Sequence, residues 1–328
     1  MKAVRNTTDT VKEAWKGYVA DSKRRGGRTV QSCEKLFWKD IEPLIGDHHL
    51  IDVTSDDIRK IVQRPIDRGT GRSGGIVASN YRLGILTAFF NFCLDNCYGG
   101  LVWDPTRGVK KIRITNSKIS RVLSLREMAL AVVAARELDR RNTADGKVST
   151  WADYITLLCL TGCRKSEIYE AMCKEYDPKT GVFTISPERY KTSMNASLPL
   201  GPTGRAIFKR HCKRGETFIL PYQSGIRTGQ DAHMIEKVTD IMSELAGETI
   251  ERWTPHSLRY SFRSNIRKAK IADSELADKL IHPLRKEQFS QHYDPDFFDE
   301  KREALEAWDK RLNEEIEAVV AERIAAVA

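Results

Sequence analysis

TPHSLRYSFRSN (Thr254–Asn265), then after a short helical-looking segment LIHPLRKEQFSQHYDPD (Leu280–Asp296), is the stretch around which the chain is organised. It holds three histidines (His256, His282 and His292), a cluster of arginines including Arg259, and Tyr293 just before an Asp-Pro turn signal. Histidine beside arginine is suited to binding and protonating phosphate oxygens, and a tyrosine hydroxyl is a candidate nucleophile. A helix is predicted over 257–269, and His256, three residues before Arg259, would share one helical face with it. Whether this set is a site depends on what the rest of the chain supplies.

Upstream, Thr161-Gly162-Cys163-Arg164-Lys165-Ser166-Glu167-Ile168 follows an apolar helix predicted from Trp151 to Leu160. Phe183–Ser186 and Ser197–Leu200 read as the two strands of a small hairpin with Lys191 near its tip. Ser124-Leu-Arg-Glu127 fits a capping box opening a helix to about Arg140. Ahead of it, Arg107, Lys110, Lys111 and Arg113 sit in a segment without apolar periodicity, which reads as a basic linker.

The first hundred residues read as four helices. Val11, Ala14, Trp15, Tyr18 and Val19 give an amphipathic stripe. Thr29–Leu44 reads as one helix stopped by Pro43 and Gly46, and Asp56–Gln63 as another, capped by Thr54 or Ser55 and ended by Pro65. A long aromatic helix is predicted over Val77–Cys97. The tail, Asp299–Val327, repeats Leu305, Trp308, Leu312, Ile316 and Ile324 at three and four residues, with an acidic opposite face. Such a helix either packs on its own domain or docks on another copy.

A length of 328 residues predicts two domains. The formal charge is +9, but residues 294–328 carry 11 acidic and 5 basic side chains, so the rest carries +15. Residues 1–115, with 20 basic and 13 acidic side chains, are +7. A basic body points to a polyanionic partner, most simply nucleic acid. Arg24, Arg25, Arg28, Arg72, Arg82, Lys110 and Lys111 are the candidate phosphate contacts, though any one of them singly is more commonly a solvated surface charge. No apolar run approaches the ~18 residues of a membrane span, and no signal-peptide core is visible, so the expectation is a cytoplasmic, DNA-associated protein with no membrane partner.

Seven cysteines without a CxxC do not form a disulfide framework. Cys93/Cys97 and Cys159/Cys163 have spacings that zinc could use, but no matching His/Cys pair accompanies them. Small buried side chains are the plainer reading, and no metal or cofactor is expected.

In order and rough spacing, Thr161–Ile168, Lys191, His256-Ser-Leu-Arg259, Ile281-His282 and Tyr293 resemble the tyrosine site-specific recombinases, the phage integrase family. The helical first domain ending in Asp104-Pro105-Thr106, and the Arg121-Val-Leu-Ser124 entry, are similar to that family as well. The resemblance covers residues 8–300. It departs at Ile281-His282-Pro283-Leu284, where the family usually has Gly-His and small polar residues, and in a longer gap to Tyr293. The chain begins almost directly with the core-binding helices, so no arm-binding domain is expected.

The resemblance implies a mainly α fold with a small antiparallel sheet. It divides the chain into a core-type DNA-binding domain (1–112), a basic linker (113–121), a catalytic domain (122–298) and a tail helix for protomer docking (299–328). It implies strand cutting and rejoining through a 3′-phosphotyrosine. In that scheme Tyr293 is the nucleophile, Arg164 and Arg259 clamp the phosphate, His256 accepts the tyrosine proton, Lys191 protonates the leaving oxygen and His282 hydrogen-bonds the phosphate. Glu167 orients the basic groups. Tyr260 and Tyr190 are set aside as nucleophiles because they adjoin Arg259 and the acid Lys191; His292 is a bystander or a DNA contact. The partner expected is duplex DNA with inverted-repeat core sites, bound by a homotetramer. Monomers in solution and accessory DNA-bending or directionality factors are compatible with this. The activity expected is integration or excision of a phage or mobile element. A cellular dimer-resolution recombinase, or a non-catalytic DNA-binding protein on the same fold, are the alternatives; a metal-dependent nuclease lacks its carboxylate cluster.

Overall fold

The computed structural model describes residues 9–27, 30–69, 75–114, 121–146, 149–186, 189, 196–213, 217–220, 231–281 and 298–327. The chain forms two compact units, Met1–Lys118 and Ile119–Ala328.

Unit 1 is helical: α1 (Val11–Arg24), α2 (Val30–Leu36), α3 (Glu42–Ile45), α4 (Ser55–Asp67) and α5 (Gly75–Asp95). Capping boxes at Thr10/Glu13 and Thr54/Asp57 start α1 and α4. The core is aromatic. Trp15 stacks on Phe37 at 4.2 Å, and Phe89 meets Trp15 at 5.2 Å. The helix expected over Thr29–Leu44 runs without a gap from Val30 to Ile45, with a π-helical turn inserted at Phe37–Ile41; Pro43 lies in the first turn of α3 and does not stop it, and Gly46 follows its last residue. The π-helical turn carries Asp40, which is 1% exposed and paired with Arg82 and, at 2.6 Å, Arg68. Burial pushes the Asp40 carboxyl up, but hydrogen bonds and charge from Arg68 and Arg82 outweigh this and hold it below its ordinary value.

Two expectations are corrected here. Arg82 is not a surface phosphate contact: at 3% exposure its guanidinium is turned onto Asp40 and the Ala78 carbonyl. Pro65 does not end α4, which continues to Asp67, because a proline in the last turn removes only one backbone donor.

Unit 2 contains α6 (Leu125–Ala144), α7 (Trp151–Thr161), α8 (Lys165–Tyr169), β1 (Tyr176–Asp177), β2 (Val182–Ile185), β3 (Ala196–Pro199), α9 (Pro202–Cys212), α10 (Asp231–Ala246), α11 (Pro255–Lys268), α12 (Ser274–Ile281) and α13 (Phe298–Val327). The fold is therefore mainly α with a small antiparallel sheet. Its order is β1-β2-β3, with Phe183 opposite Leu198 and Ile185 opposite Ala196. β1, two residues long, is too short to show an alternating pattern in the sequence. Helix α6 is buried continuously from Met128 to Ala135 because α7, α10 and α13 surround it. Asp139 accepts hydrogen bonds from the Trp151 and Ala152 amides and so caps α7 from α6.

Of the two readings of the tail, packing on its own domain holds for the first part of its apolar face: in α13 Leu305, Trp308, Leu312, Ile316 and Val319 are all buried, whereas Ile324 is exposed. Trp308 donates to the Cys159 carbonyl at 2.9 Å. Asp309 accepts from the Thr203 amide at 2.9 Å and from the Thr203 hydroxyl at 2.7 Å, capping α9, whose own N-cap is a glycine. Among the described residues, no helix is long and apolar enough to cross a membrane.

Candidate active site

Helix α7 ends at Gly162, which has φ 60°. A Cβ there would lie 2.5 Å from Phe262 Cδ1, so the position needs glycine both for its backbone conformation and for space. The turn redirects the chain so that Arg164, in extended conformation, is the N-cap of α8. Glu167 is the third residue of that helix, and from there its carboxylate folds back over the helix start. It accepts from the Arg164 backbone amide at 2.6 Å and from Arg164 Nη1 at 2.6 Å. Glu167 is itself 6% exposed.

Arg259 enters from α11 and is 4% exposed. It donates Nη1 to the Gly162 carbonyl at 2.8 Å and Nη2 to the Ile281 carbonyl, and Nη1 lies 3.9 Å from Glu167 Oε2. One buried carboxylate thus sits between two guanidinium groups drawn from helices far apart in sequence. Three elements are tied together in this way: the end of α7, the first half of α11 and the last residue of α12.

His256 lies in the first turn of α11, which opens at the Thr254/Ser257 capping box. It is exposed where Arg259 is buried. Partial burial, and then the charges of Arg259 and Arg164, lower its pKa from the usual value. A neutral imidazole beside two cations is able to accept a proton near pH 7. The Tyr260 ring stands edge-on to His256 at 4.9 Å, and Tyr260 is 42% exposed.

A narrow crevice beside these groups is lined by Glu167, Arg259, Ile281, Ile185, Ser197 and Leu198. The last paired rung of the hairpin, Ile185 opposite Ala196, therefore lies on the same crevice as Glu167 and Arg259. Lys191, His282 and Tyr293, with His292, Tyr190, Arg28 and Arg72, lie outside the described residues. The structure brings together Arg164, Glu167, His256 and Arg259 out of the expected set.

Sequence reasoning missed Arg189. Its side chain makes a two-point ion pair with Glu175, at 2.8 and 2.9 Å, and donates to the Glu167 carbonyl at 3.2 Å, bracing α8 from below. An arginine two residues before the candidate acid Lys191 was the available signal. Cys159 and Cys163 are buried under the site, and burial pushes the Cys163 thiol up to about 12, so neither is a nucleophile. Among the other candidates, Arg24 and Arg25 both pair with Asp21, whereas Lys110 and Lys111 are exposed with no ion pair among the described residues.

A lambda integrase dimer bound to a core site has a similar fold, with a TM-score of 0.60 at 17% identity, covering 88% of this chain and 98% of that one. A lambda integrase tetramer bound to a Holliday junction matches with a TM-score of 0.60 at 17% identity, over 88% and 80%. The Tn1549 transposon integrase in complex with transposon right-end DNA matches with a TM-score of 0.60 at 17% identity, over 93% and 100%. A comparison with curated proteins finds no match. The family model described as phage integrase family matches residues 122–293, which run from the entry to α6 as far as Tyr293 and include each catalytic candidate. That match spans more than half of the chain: it belongs to the phage integrase family, the tyrosine site-specific recombinases.

Proposed function

We propose that this chain is a DNA recombinase that cuts and rejoins duplex DNA at specific sites through a covalent 3′-phosphotyrosine, in the service of a phage or other mobile element. The observation that carries the reading is the Arg164–Glu167–Arg259 cluster with His256 at its exposed edge. Two guanidiniums held by a buried carboxylate and by backbone carbonyls form a fixed cationic seat. A seat of that kind stabilises the charge that grows on a phosphoryl group during in-line attack without reorganising at the moment of reaction.

The roles follow from the chemistry. Tyr293 Oη attacks phosphorus, forming the phosphotyrosine bond as the bond to the 5′-oxygen breaks. His256 takes the phenolic proton, and Lys191 supplies a proton to the departing 5′-oxygen. His282 hydrogen-bonds the phosphate. Rejoining is the reverse, with the 5′-hydroxyl as nucleophile. Chain continuity supports the Lys191 and His282 assignments. The Ile281 carbonyl that precedes His282 accepts from Arg259, and the hairpin that carries Lys191 borders the Glu167–Arg259 crevice. Assembly as a tetramer on two duplexes is proposed on the same footing as the lambda integrase tetramer on a Holliday junction.

The test is incubation with a nicked suicide duplex carrying the attachment site, in EDTA, followed by denaturing electrophoresis. The expected result is a covalent protein–DNA adduct that Tyr293→Phe abolishes and Arg164→Ala reduces by about 10²–10³-fold. An adduct that survives Tyr293→Phe, or none at all with wild type, refutes the reading.

A further inference from the structure

Asn80 lies in the first half of α5, and its carboxamide engages a single residue 32 positions later. Its Nδ2 donates to the Ile112 carbonyl at 2.8 Å, and its Oδ1 accepts from the Ile112 amide at 2.9 Å. This is the two-bond exchange that one ladder residue makes with another in an antiparallel sheet, here supplied by a side chain to a segment that is not a strand. The Ile112 side chain is 41% exposed, so packing does not explain why its backbone is held.

The same segment is anchored a second time. Asp104 binds the Thr106 amide and hydroxyl, each at 2.8 Å; Val109 N–H donates to the Thr106 carbonyl at 3.0 Å, and the Val109 side chain packs on the unit 1 core. From 107 to 113 the sequence reads RGVKKIR, without an acid. Arg107, Lys110, Lys111 and Arg113 are all exposed, and none makes an ion pair with a described residue. Elsewhere in unit 1, Arg24 and Arg25 share Asp21 and Arg82 is buried on Asp40. Residues 107–113 thus carry four exposed cations and no acid on a backbone held at Thr106/Val109 and at Ile112.

We propose that Asn80 is a positioning residue that holds residues 107–113 as a preformed strap for the phosphates of duplex DNA. The proposal rests on duplex DNA being the partner, as argued above. A strap already ordered does not lose backbone freedom on binding, whereas a loose one must be ordered by the contact itself.

The experiment titrates the full-length protein with a fluorescent duplex of arbitrary sequence across a range of salt. Phosphate contacts set the slope of log affinity against log salt at about 0.9 per contact, so Lys110→Ala with Lys111→Ala lowers it by about 1.8. Asn80→Ala keeps every charge. It is expected to weaken binding about tenfold, as ordering one or two residues implies, with the slope unchanged. In the Lys110→Ala/Lys111→Ala background, Asn80→Ala adds less than about twofold, because the two act through one contact. Amide hydrogen exchange at Ile112, slow in wild type, becomes fast in Asn80→Ala. Should that substitution disturb α5, Ile112→Pro removes the amide donor of the pair from the strap side, and a loss in the same direction, of up to about tenfold, is expected.

The proposal is overturned if Ile112 loses protection while duplex affinity stays within about twofold of wild type. It is also overturned if the Asn80→Ala effect persists in full without the two lysines. Wild type failing to bind any duplex overturns the DNA reading as well, so the two failures are distinguishable.

Discussion

Replacing Glu167 tests whether a buried carboxylate sets the two arginines. Glu167→Ala removes the acceptor of two 2.6 Å bonds from Arg164 and the charge 3.9 Å from Arg259. Breaking one side of a buried ion pair costs about 3–5 kcal/mol. Two features pull this toward the lower end. The Arg164 side chain is 28% exposed and rehydrates, and Arg259 keeps the carbonyls of Gly162 and Ile281. About 3 kcal/mol is therefore expected for alanine. Glu167→Gln keeps one oxygen acceptor and loses the charge, for about 1–2 kcal/mol. In a unit of this size each kcal/mol lowers Tm by about 2–4 °C. Calorimetry then expects a drop of about 6–12 °C for alanine and about 2–8 °C for glutamine. Guanidiniums displaced by about 1 Å lose about 10²-fold in rate, which single-turnover adduct formation measures on the folded fraction. Wild-type melting and wild-type adduct rate in both variants would refute the assignment. A lowered Tm with an unchanged adduct rate per folded molecule would leave the carboxylate as a structural brace and remove it from the chemistry.

Gly162→Ala forces an L-residue to φ 60° and places Cβ 2.5 Å from Phe262 Cδ1. A loss of about 2–4 kcal/mol is expected by denaturant titration, together with a slower adduct, because the carbonyl held by Arg259 moves. His256 has a lowered pKa, so its neutral form dominates at pH 7 and persists below the usual histidine value. The acid limb of single-turnover cleavage is expected below pH ~6.5, falling as the imidazole takes a proton, and His256→Gln should abolish the limb; a limb at or above pH ~6.5 contradicts the assignment. Truncation before α13 is expected to unfold unit 2, seen as lost near-UV dichroism, rather than to weaken assembly alone, since Trp308 is fully buried and Asp309 caps α9. Trp308→Ala alone should cost about 3–5 kcal/mol, and a soluble, folded truncation would show that the tail is separable.

Much of this was legible along the chain because it depends on local rules. Apolar spacing located most of the helices. The capping box at Ser124 and Glu127 marked the start of α6 to the residue. Alternation and turn residues located β2 and β3, and the composition of each end gave the charge split. The ordered set from Arg164 to Tyr293 indicated the family, since which residue types occur, and in what order, is a property of the sequence alone.

What the tertiary structure decided is which charges face each other and which are buried. Arg82 reads as a surface cation on an aromatic helix, and only the π-turn that swings Asp40 inward makes it an internal counter-ion. The tail has the pattern of a docking helix, yet its apolar stripe from Leu305 to Val319 is covered within unit 2, where α13 packs on α6, α7 and β3. Glu167 and Arg259 are 92 positions apart, and the Asn80–Ile112 pair 32, and nothing in either separation signals a contact. Hydrophobic periodicity specifies which face of an element is buried, but not which element buries it. Partners for buried charge are chosen only when distant segments are packed together, where an unpaired ion costs far more than it does in water.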